Sequence, residues 1–282
     1  MTSVIEEAPA KVNLILHVGV RRPDGLHPVA SLFASLALRD CVSVEVAKSG
    51  PDTVVCPGVD GPNLAGRAIA AFRAAASDVQ LGPVRVAIDK QIPVAAGLGG
   101  GSADAAAVLR AVNTLADGPL DDLELMRIAA SLGSDVPSQI VPAHALVQGV
   151  GELVEPVELA PLALVLLPRV EGLATSAVYA ELDRLRADGV ASERVRLDPD
   201  PLRAATARPP ELLADVLEND LEPAALSLAP GLEGRLARLR EAGAVAARVA
   251  GSGPTVFGLF AGHDAAEAVA TTLPGAIVTR TA

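Results

Sequence analysis

One stretch constrains this chain more than any other: Pro93-Val-Ala-Ala-Gly-Leu-Gly-Gly-Gly-Ser-Ala-Asp-Ala-Ala-Ala107. Glycines at 97, 99, 100 and 101 stand directly before an alanine-rich run. From there apolar residues recur as Ala105, Val108, Leu109, Val112 and Leu115, which is helical spacing. Ser102 stands where a helix N-cap is expected, with Asp104 in the first turn. A loop almost free of side chains therefore opens onto a helix N-terminus. Glycine lets the backbone approach a ligand, and the first N–H groups of a helix have no partner inside it. Those donors, at the positive end of the helix dipole, form an anion site suited to phosphate.

The spelling of the loop excludes two common phosphate motifs. No Lys-Ser/Thr pair follows the last glycine, as a Walker A loop requires. The dinucleotide pattern G-x-G-x-x-G also fails, because Ser102 takes the place of its third glycine.

Charge sharpens the argument. The chain of 282 residues carries a formal net charge of −11, which disfavours nucleic acid or an anionic membrane as partner. An acidic protein holds an anion only through local donors and a few placed cations. Only three of its 23 basic residues are lysines, Lys11, Lys48 and Lys90, so a lysine inside an apolar strand draws attention. Half of the residues are apolar, enough for a packed core, and no apolar run is long enough to span a bilayer. The opening residues carry Glu6 and Glu7 where a secretory signal would carry bases. Cys41 and Cys56 are too few for a disulfide framework, and reduced thiols in a cytoplasmic protein are expected. The four histidines are scattered and offer the cysteines no company for a metal.

Residues 11–20 read as a strand in which Lys11, Asn13, Ile15 and His17 share one face. An edge-strand lysine reaching solvent is the ordinary alternative for Lys11. Residues 21–27 are turn chemistry. Residues 31–38 are an apolar stretch, and 41–46 alternate as a second strand. Helices are expected over 63–76, from an Asp121 or Asp122 cap to Gly133, and over 176–187, 211–217, 231–242 and 264–272. Strands are expected over 84–88, 162–167, 245–249, 255–260 and 277–280, and residues 145–152 read as a strand and turn. Residues 198–210, rich in Pro, Arg and Asp, read as a long surface loop. Helices and strands mix in both halves, so the class is α+β, with a boundary near Pro156 to Pro161.

Phosphoryl transfer needs a phosphate cradle, charge compensation and a group that handles the acceptor hydroxyl proton. Asp135, just past a helix end and flanked by Gly133 and Pro137, is the candidate for the last role; a turn aspartate bonded to nearby N–H groups is the alternative.

These pieces occur in one order that resembles the GHMP small-molecule kinases over nearly the whole chain. Pro9-Ala-Lys-Val-Asn-Leu14 resembles the family's opening strand, and Arg22-Pro-Asp-Gly-Leu-His27 its Arg-x-Asp-Gly-Tyr-His turn. The glycine loop, Gly133-Ser-Asp-Val-Pro137, Gln148-Gly-Val-Gly-Glu152, Asn219-Asp-Leu-Glu-Pro223 and Ala250-Gly-Ser-Gly-Pro-Thr-Val-Phe257 complete the set.

The resemblance implies a two-domain fold: a ribosomal S5 domain 2-like domain over 1–157 and a ferredoxin-like α/β-sandwich over 158–282. It implies ATP and Mg²⁺ as cofactors and a small-molecule cytidyl diphosphate as acceptor, with neither nucleic acid nor membrane, in a monomer or weak homodimer. Lys11 and Asp135 match the catalytic pair. Pro93, Val94, Ala95, Ala96, Gly97, Leu98, Gly99, Gly100, Gly101, Ser102 and Ala103 match the ATP segment, with Ser102 placed to meet a phosphate oxygen or Mg²⁺. Asn13, Leu26, His27 and Tyr179 match positions at the substrate, and Gly251, Ser252, Gly253 and Thr255 would close the phosphate side.

One departure stands out. Leu26 replaces a tyrosine that stacks on cytosine in the family, which leaves Tyr179 as a one-sided stack. Two alternatives follow: a GHMP kinase acting on another alcohol, or a non-catalytic ATP-binding relative.

Overall fold

The structure is a computed structural model that describes residues 2–59, 61, 63–169 and 172–282. It divides into two compact units, each built from separated pieces of chain. One holds Met1–Ala10, Leu38–Val94 and Gly99–Ala143, and the other Lys11–Ala37, Ala95–Leu98 and His144–Ala282.

In the first unit the later part of the strand Val29–Val46 pairs antiparallel with Val84–Asp89, and Thr53–Val55 adds a parallel edge. Val84–Asp89 alternates strictly between buried and exposed, so one face meets the core. Against that face pack the helices Leu64–Ala75, Gly100–Leu115 and Asp122–Leu132, closing over Val44, Phe72, Val86, Leu109 and Leu125. Fully burying a side chain of this size contributes about 1.5–3 kcal/mol. Gly100–Leu115 is buried on more than a stripe: Ala103, Ala106, Ala107 and Ala111 join the expected apolar positions. Alanine allows this because its methyl keeps neighbouring elements close at no side-chain entropy cost. The other two helices start at side-chain caps. Asn63 accepts from Ala65 N–H, and Asp121 and Glu124 form a reciprocal capping box.

The second unit contains a four-stranded antiparallel sheet in the order Ile277–Arg280, Ala163–Leu167, Val256–Phe260, Ala246–Val249. Its two central strands are buried throughout, as strands covered on both faces must be. Thr175–Ala187 and Gly231–Glu241 supply Val178, Leu182, Leu232 and Leu236 to the core beside it. The later part of the opening strand, Ser3–Val18, runs parallel to Glu218–Asn219.

The α+β expectation holds, with local corrections, among them an opening strand that begins at Ser3 rather than Lys11. Residues 29–46 form one continuous strand rather than an apolar stretch and a separate strand. The expected loop over 198–210 holds the helix Asp200–Thr206 and the start of Pro210–Leu213. Prolines in the first turn carry a preset helical φ there, and burial of Leu202, Ala205 and Leu213 holds the segment down. Among the described residues no helix is long and apolar enough to cross a membrane.

Candidate active site

In the second unit, strand alternation brings Lys11 and Asn13 to one face as expected, but Lys11 is no edge lysine: it is 5% exposed. Its Nζ donates to Asn13 Oδ1 at 2.8 Å and lies 4.6 Å from the centre of the Phe33 ring. Asn13 Nδ2 donates to Ser31 Oγ at 2.9 Å, and Ser31 donates to Ile15 O at 2.6 Å. This relay orients the Asn13 amide, with its oxygen toward the ammonium. Ser31, buried and essential to the relay, has no local sequence signal.

Lys11 N–H donates to Leu98 O at 2.9 Å, which ties the segment Ala95–Leu98 to the strand. On its other side Thr255 N–H donates to Ala96 O at 3.3 Å. The backbones then approach so closely that a Cβ on Gly97 would lie 2.5 Å from Gly253 O and 2.9 Å from Ala250 O. Gly97 also has φ +77, a conformation that favours glycine. A Cβ on Gly251 would stand 3.2 Å from Asn13 Oδ1 and 3.8 Å from Lys11 Nζ, so the Gly251–Thr255 loop lies against the strand's polar pair. Asn219 holds that loop: its amide donates to Val249 O and Gly251 O at 2.9 and 2.8 Å. Ser252 Oγ meets Thr175 Oγ1 at 3.1 Å. The Thr255 hydroxyl is buried and has no hydrogen-bond partner among the described residues. Lys11, Asn13, residues 95–98 and residues 251–255 are thus one cluster.

His27 and Tyr179 form another pair in this unit, ring centres 5.0 Å apart. His27 Nε2 meets Asp183 Oδ1 at 2.8 Å, a partner far away in sequence that local pattern does not reveal. If the bound nitrogen carries the proton, Nδ1 of the neutral ring is an acceptor. Leu26 is 51% exposed and able to touch a ligand.

In the first unit Pro93 and Val94 lead out of the loop's entry, and Gly99 to Ala103 start the helix. Here the expectation for Ser102 is corrected. The N-cap is Gly99 at φ 73, and Ser102 lies inside the first turn. Glycine takes the cap because the chain arrives in the left-handed region, where serine is strained. Ala103 N–H makes the first intrahelical bond, to Gly99 O at 2.9 Å, so the N–H groups of residues 99–102 have no partner inside the helix. Asp135 follows the helix end at Gly133. It is half-buried, and its carbonyl accepts from Ser138 Oγ at 3.0 Å.

Asp104 is likewise not a first-turn anion. It is buried and pairs with Lys90 Nζ at 2.8 Å, and Lys90 also pairs with Asp40. Burial pushes the Asp104 carboxyl up to about 6, with the Asp40 charge adding and Lys90 opposing. Its Oδ1 is buried without a hydrogen-bond partner among the described residues, in line with that cause. A carboxyl with a raised folded pKa binds more protons in the native state than unfolded, so its contribution to stability falls as pH rises from about 4 to about 6. Asp104→Asn removes this term. Relative to wild type, the variant gains on the order of 1–3 kcal/mol between pH 4.5 and pH 7.5 in urea unfolding. A pH-independent difference contradicts this.

A cavity of about 430 Å³, lined by Ile15, His17, Leu202, Arg208 and Glu218 among others, holds none of the candidate residues.

Residues 63–142 match the family profile described as GHMP kinases N terminal domain, and residues 202–277 match GHMP kinases C terminal. The chain is 45% identical over 285 residues to a 4-diphosphocytidyl-2-C-methyl-D-erythritol kinase of Rhodococcus jostii, covering 99% of this chain and 90% of that one. Identity to the enzyme of the same name from Mycolicibacterium gilvum is 43% over 293 residues, covering 99% and 88%. Among solved structures, a 4-(cytidine 5'-diphospho)-2C-methyl-D-erythritol kinase matches with TM-score 0.80 at 35% identity, covering 99% and 100%. An L. major mevalonate kinase in complex with R-mevalonate matches with TM-score 0.73 at 15% identity, covering 99% and 95%; at that identity it shares the fold alone.

Proposed function

Because the chain belongs to the 4-diphosphocytidyl-2-C-methyl-D-erythritol kinases, a branch of the GHMP kinases, we propose that it transfers the γ-phosphoryl group of ATP to the 2-hydroxyl of that cytidyl diphosphate. The step belongs to non-mevalonate isoprenoid precursor biosynthesis. The observation that most supports this reading is the buried Lys11–Asn13 pair beneath the close-packed loops at Gly97 and Gly251–Thr255. A positive charge held beneath a narrow, side-chain-free approach suits phosphate.

In this reading the N–H groups at the start of Gly100–Leu115 bind the nucleotide phosphates, with residues 93–103 forming the ATP segment. Asp135 accepts the proton of the 2-hydroxyl as its oxygen bonds to the γ-phosphorus. The bond from that phosphorus to the bridging oxygen breaks, and ADP leaves with the electron pair. Lys11 offsets charge on the attacking oxygen, and Asn13 orients the substrate. Gly251, Ser252, Gly253 and Thr255 cover the phosphate side, where the Thr255 hydroxyl, without a hydrogen-bond partner among the described residues, is available to an oxygen. Ser102 would help hold Mg²⁺, which would supply charge neutralisation to the nucleotide phosphates. The donor set fits it: Ser102 offers one hard oxygen, and Mg²⁺ usually keeps waters and is held through substrate phosphates. Among the described residues no group of three or more His, Cys, Asp or Glu side chains is arranged to hold a metal.

The cytosine end falls to Leu26, His27 and Tyr179. His27, oriented by Asp183, presents Nδ1 to the base's amino group, and Tyr179 stacks on one side.

The test is a coupled ADP-release assay with the cytidyl substrate, homoserine and mevalonate in parallel. Turnover of the first alone is the expected result; turnover only of another alcohol replaces the substrate assignment. In the same assay Leu26→Tyr restores a second stacking face worth about 1–3 kcal/mol. Its KM for the cytidyl substrate falls at least several-fold, with kcat little changed. An unchanged KM removes Leu26 from the base pocket.

A further inference from the structure

A three-residue charged cluster sits at the base of the glycine loop, and none of its members is assigned a role above. Lys90 stands just past the strand that enters the loop, and Asp104 lies in the helix that leaves it. Asp40, fully buried on the strand Val29–Val46, accepts from Lys90 Nζ and from the backbone N–H groups of Gln91 and Ile92 at 2.6 and 2.8 Å. Lys90 Nζ then reaches across to Asp104 at 2.8 Å. Every bond in the set joins the loop's incoming chain to Asp40 or, through the ammonium, to its outgoing helix. The fit is close: a Cβ on Gly100, the first helical residue, would lie 3.2 Å from Lys90 Nζ and 3.0 Å from Ile92 Cγ2.

We propose that Lys90, clasped between Asp40 and Asp104, is a positioning residue that holds the two ends of the phosphate loop in register for ATP. The inference rests on the nucleotide reading of the loop given above. Anion binding through backbone N–H groups depends on where those groups point, and a backbone donor, unlike a side chain, has no rotamers with which to adjust. Fixing the chain on both sides of the loop fixes their directions. Two carboxylates and one ammonium taken out of water are a costly way to build a core, and apolar residues of similar volume are often as stable. Directional bonds supply what apolar packing does not, a defined spacing between strand end and helix start. Burial disfavours the charge on Lys90, yet Asp104 and Asp40 together raise its pKa, so the ammonium persists across the working pH range.

The test uses the full chain carrying Lys90→Met, and the double variant Lys90→Met/Asp104→Leu, which also removes one of the two carboxylates left facing the methionine. In steady-state kinetics below the unfolding transition, Lys90→Met raises KM for ATP about tenfold or more, since a small misplacement of binding groups has effects of that size. KM for the cytidyl substrate stays within about twofold. The double variant recovers part of the lost thermal midpoint but keeps the raised KM for ATP. A merely structural strut predicts the reverse, recovery of both together. A wild-type KM for ATP in either folded variant, or equal rises in both KM values, overturns the proposal. Calorimetric titration with Mg-ADP separates this from the substrate assignment. If wild type binds Mg-ADP but does not phosphorylate the cytidyl substrate, the substrate assignment fails while a tenfold weaker Mg-ADP affinity in Lys90→Met still supports the clasp. Wild type that binds no nucleotide overturns both.

Discussion

Asp135→Ala binds Mg-ATP within about threefold of wild type and loses about 10²–10⁴ in kcat, the range that a positioned general base supplies. The separation follows from position. Asp135 sits in the turn after the helix end at Gly133, and its backbone contacts there do not need the carboxylate: Val136 N–H donates to Gly133 O, and Ser138 donates to the Asp135 carbonyl. On the proposed mechanism, removing the carboxylate takes away the proton acceptor and leaves the helix N-terminus at Gly99–Ser102 intact. Calorimetry reads the first half of the result and single-turnover kinetics the second. Turnover within tenfold of wild type removes Asp135 from the mechanism; ATP binding lost together with turnover assigns it to folding or nucleotide contact instead.

Gly97→Ala has the other large effect, and it acts through shape alone. The new Cβ would meet two carbonyl oxygens, Gly253 O at 2.5 Å and Ala250 O at 2.9 Å, and neither is the yielding end of a side chain. The left-handed backbone at φ +77 adds about 1–2 kcal/mol for any residue with a Cβ. Gly118→Ala is the matched control, with φ +69 and nothing within 4 Å of the added atom. Both variants lose the conformational term in urea unfolding. Only Gly97→Ala also loses at least about tenfold in kcat/KM for ATP, because the loops at 97 and 251–255 can no longer close to their present spacing. Equal kinetic losses in the two variants contradict a cradle built on close backbone approach.

Much of this could be read from residues within one helical turn of each other. The helix after the glycine loop, the Asp121 start, the stop at Gly133 and the shared face of Lys11 and Asn13 all depend on near neighbours. Ser102 looks like the helix start on the same local grounds. Serine is a good cap only when the chain enters extended, and here it enters left-handed at Gly99, a conformation set by the whole loop. The segment 198–210 failed for a related reason: its prolines and charges resemble a loop until Leu202 and Ala205 find a core to enter.

By itself the amino-acid order determined the chemistry on offer: a run of glycines feeding a helix, one lysine on a strand, one aspartate in a turn, all in a sequence of motifs that marks the family. Only the tertiary structure decided which groups stand beside them. Asp183 reaches His27 across 156 positions, Asn219 grips Gly251 across 32, and Asp40 and Asp104 close on Lys90 across 50 and 14. Periodicity and caps are written by interactions a few residues long, whereas these partners are chosen when strands and helices pack and buried polar groups must find one another.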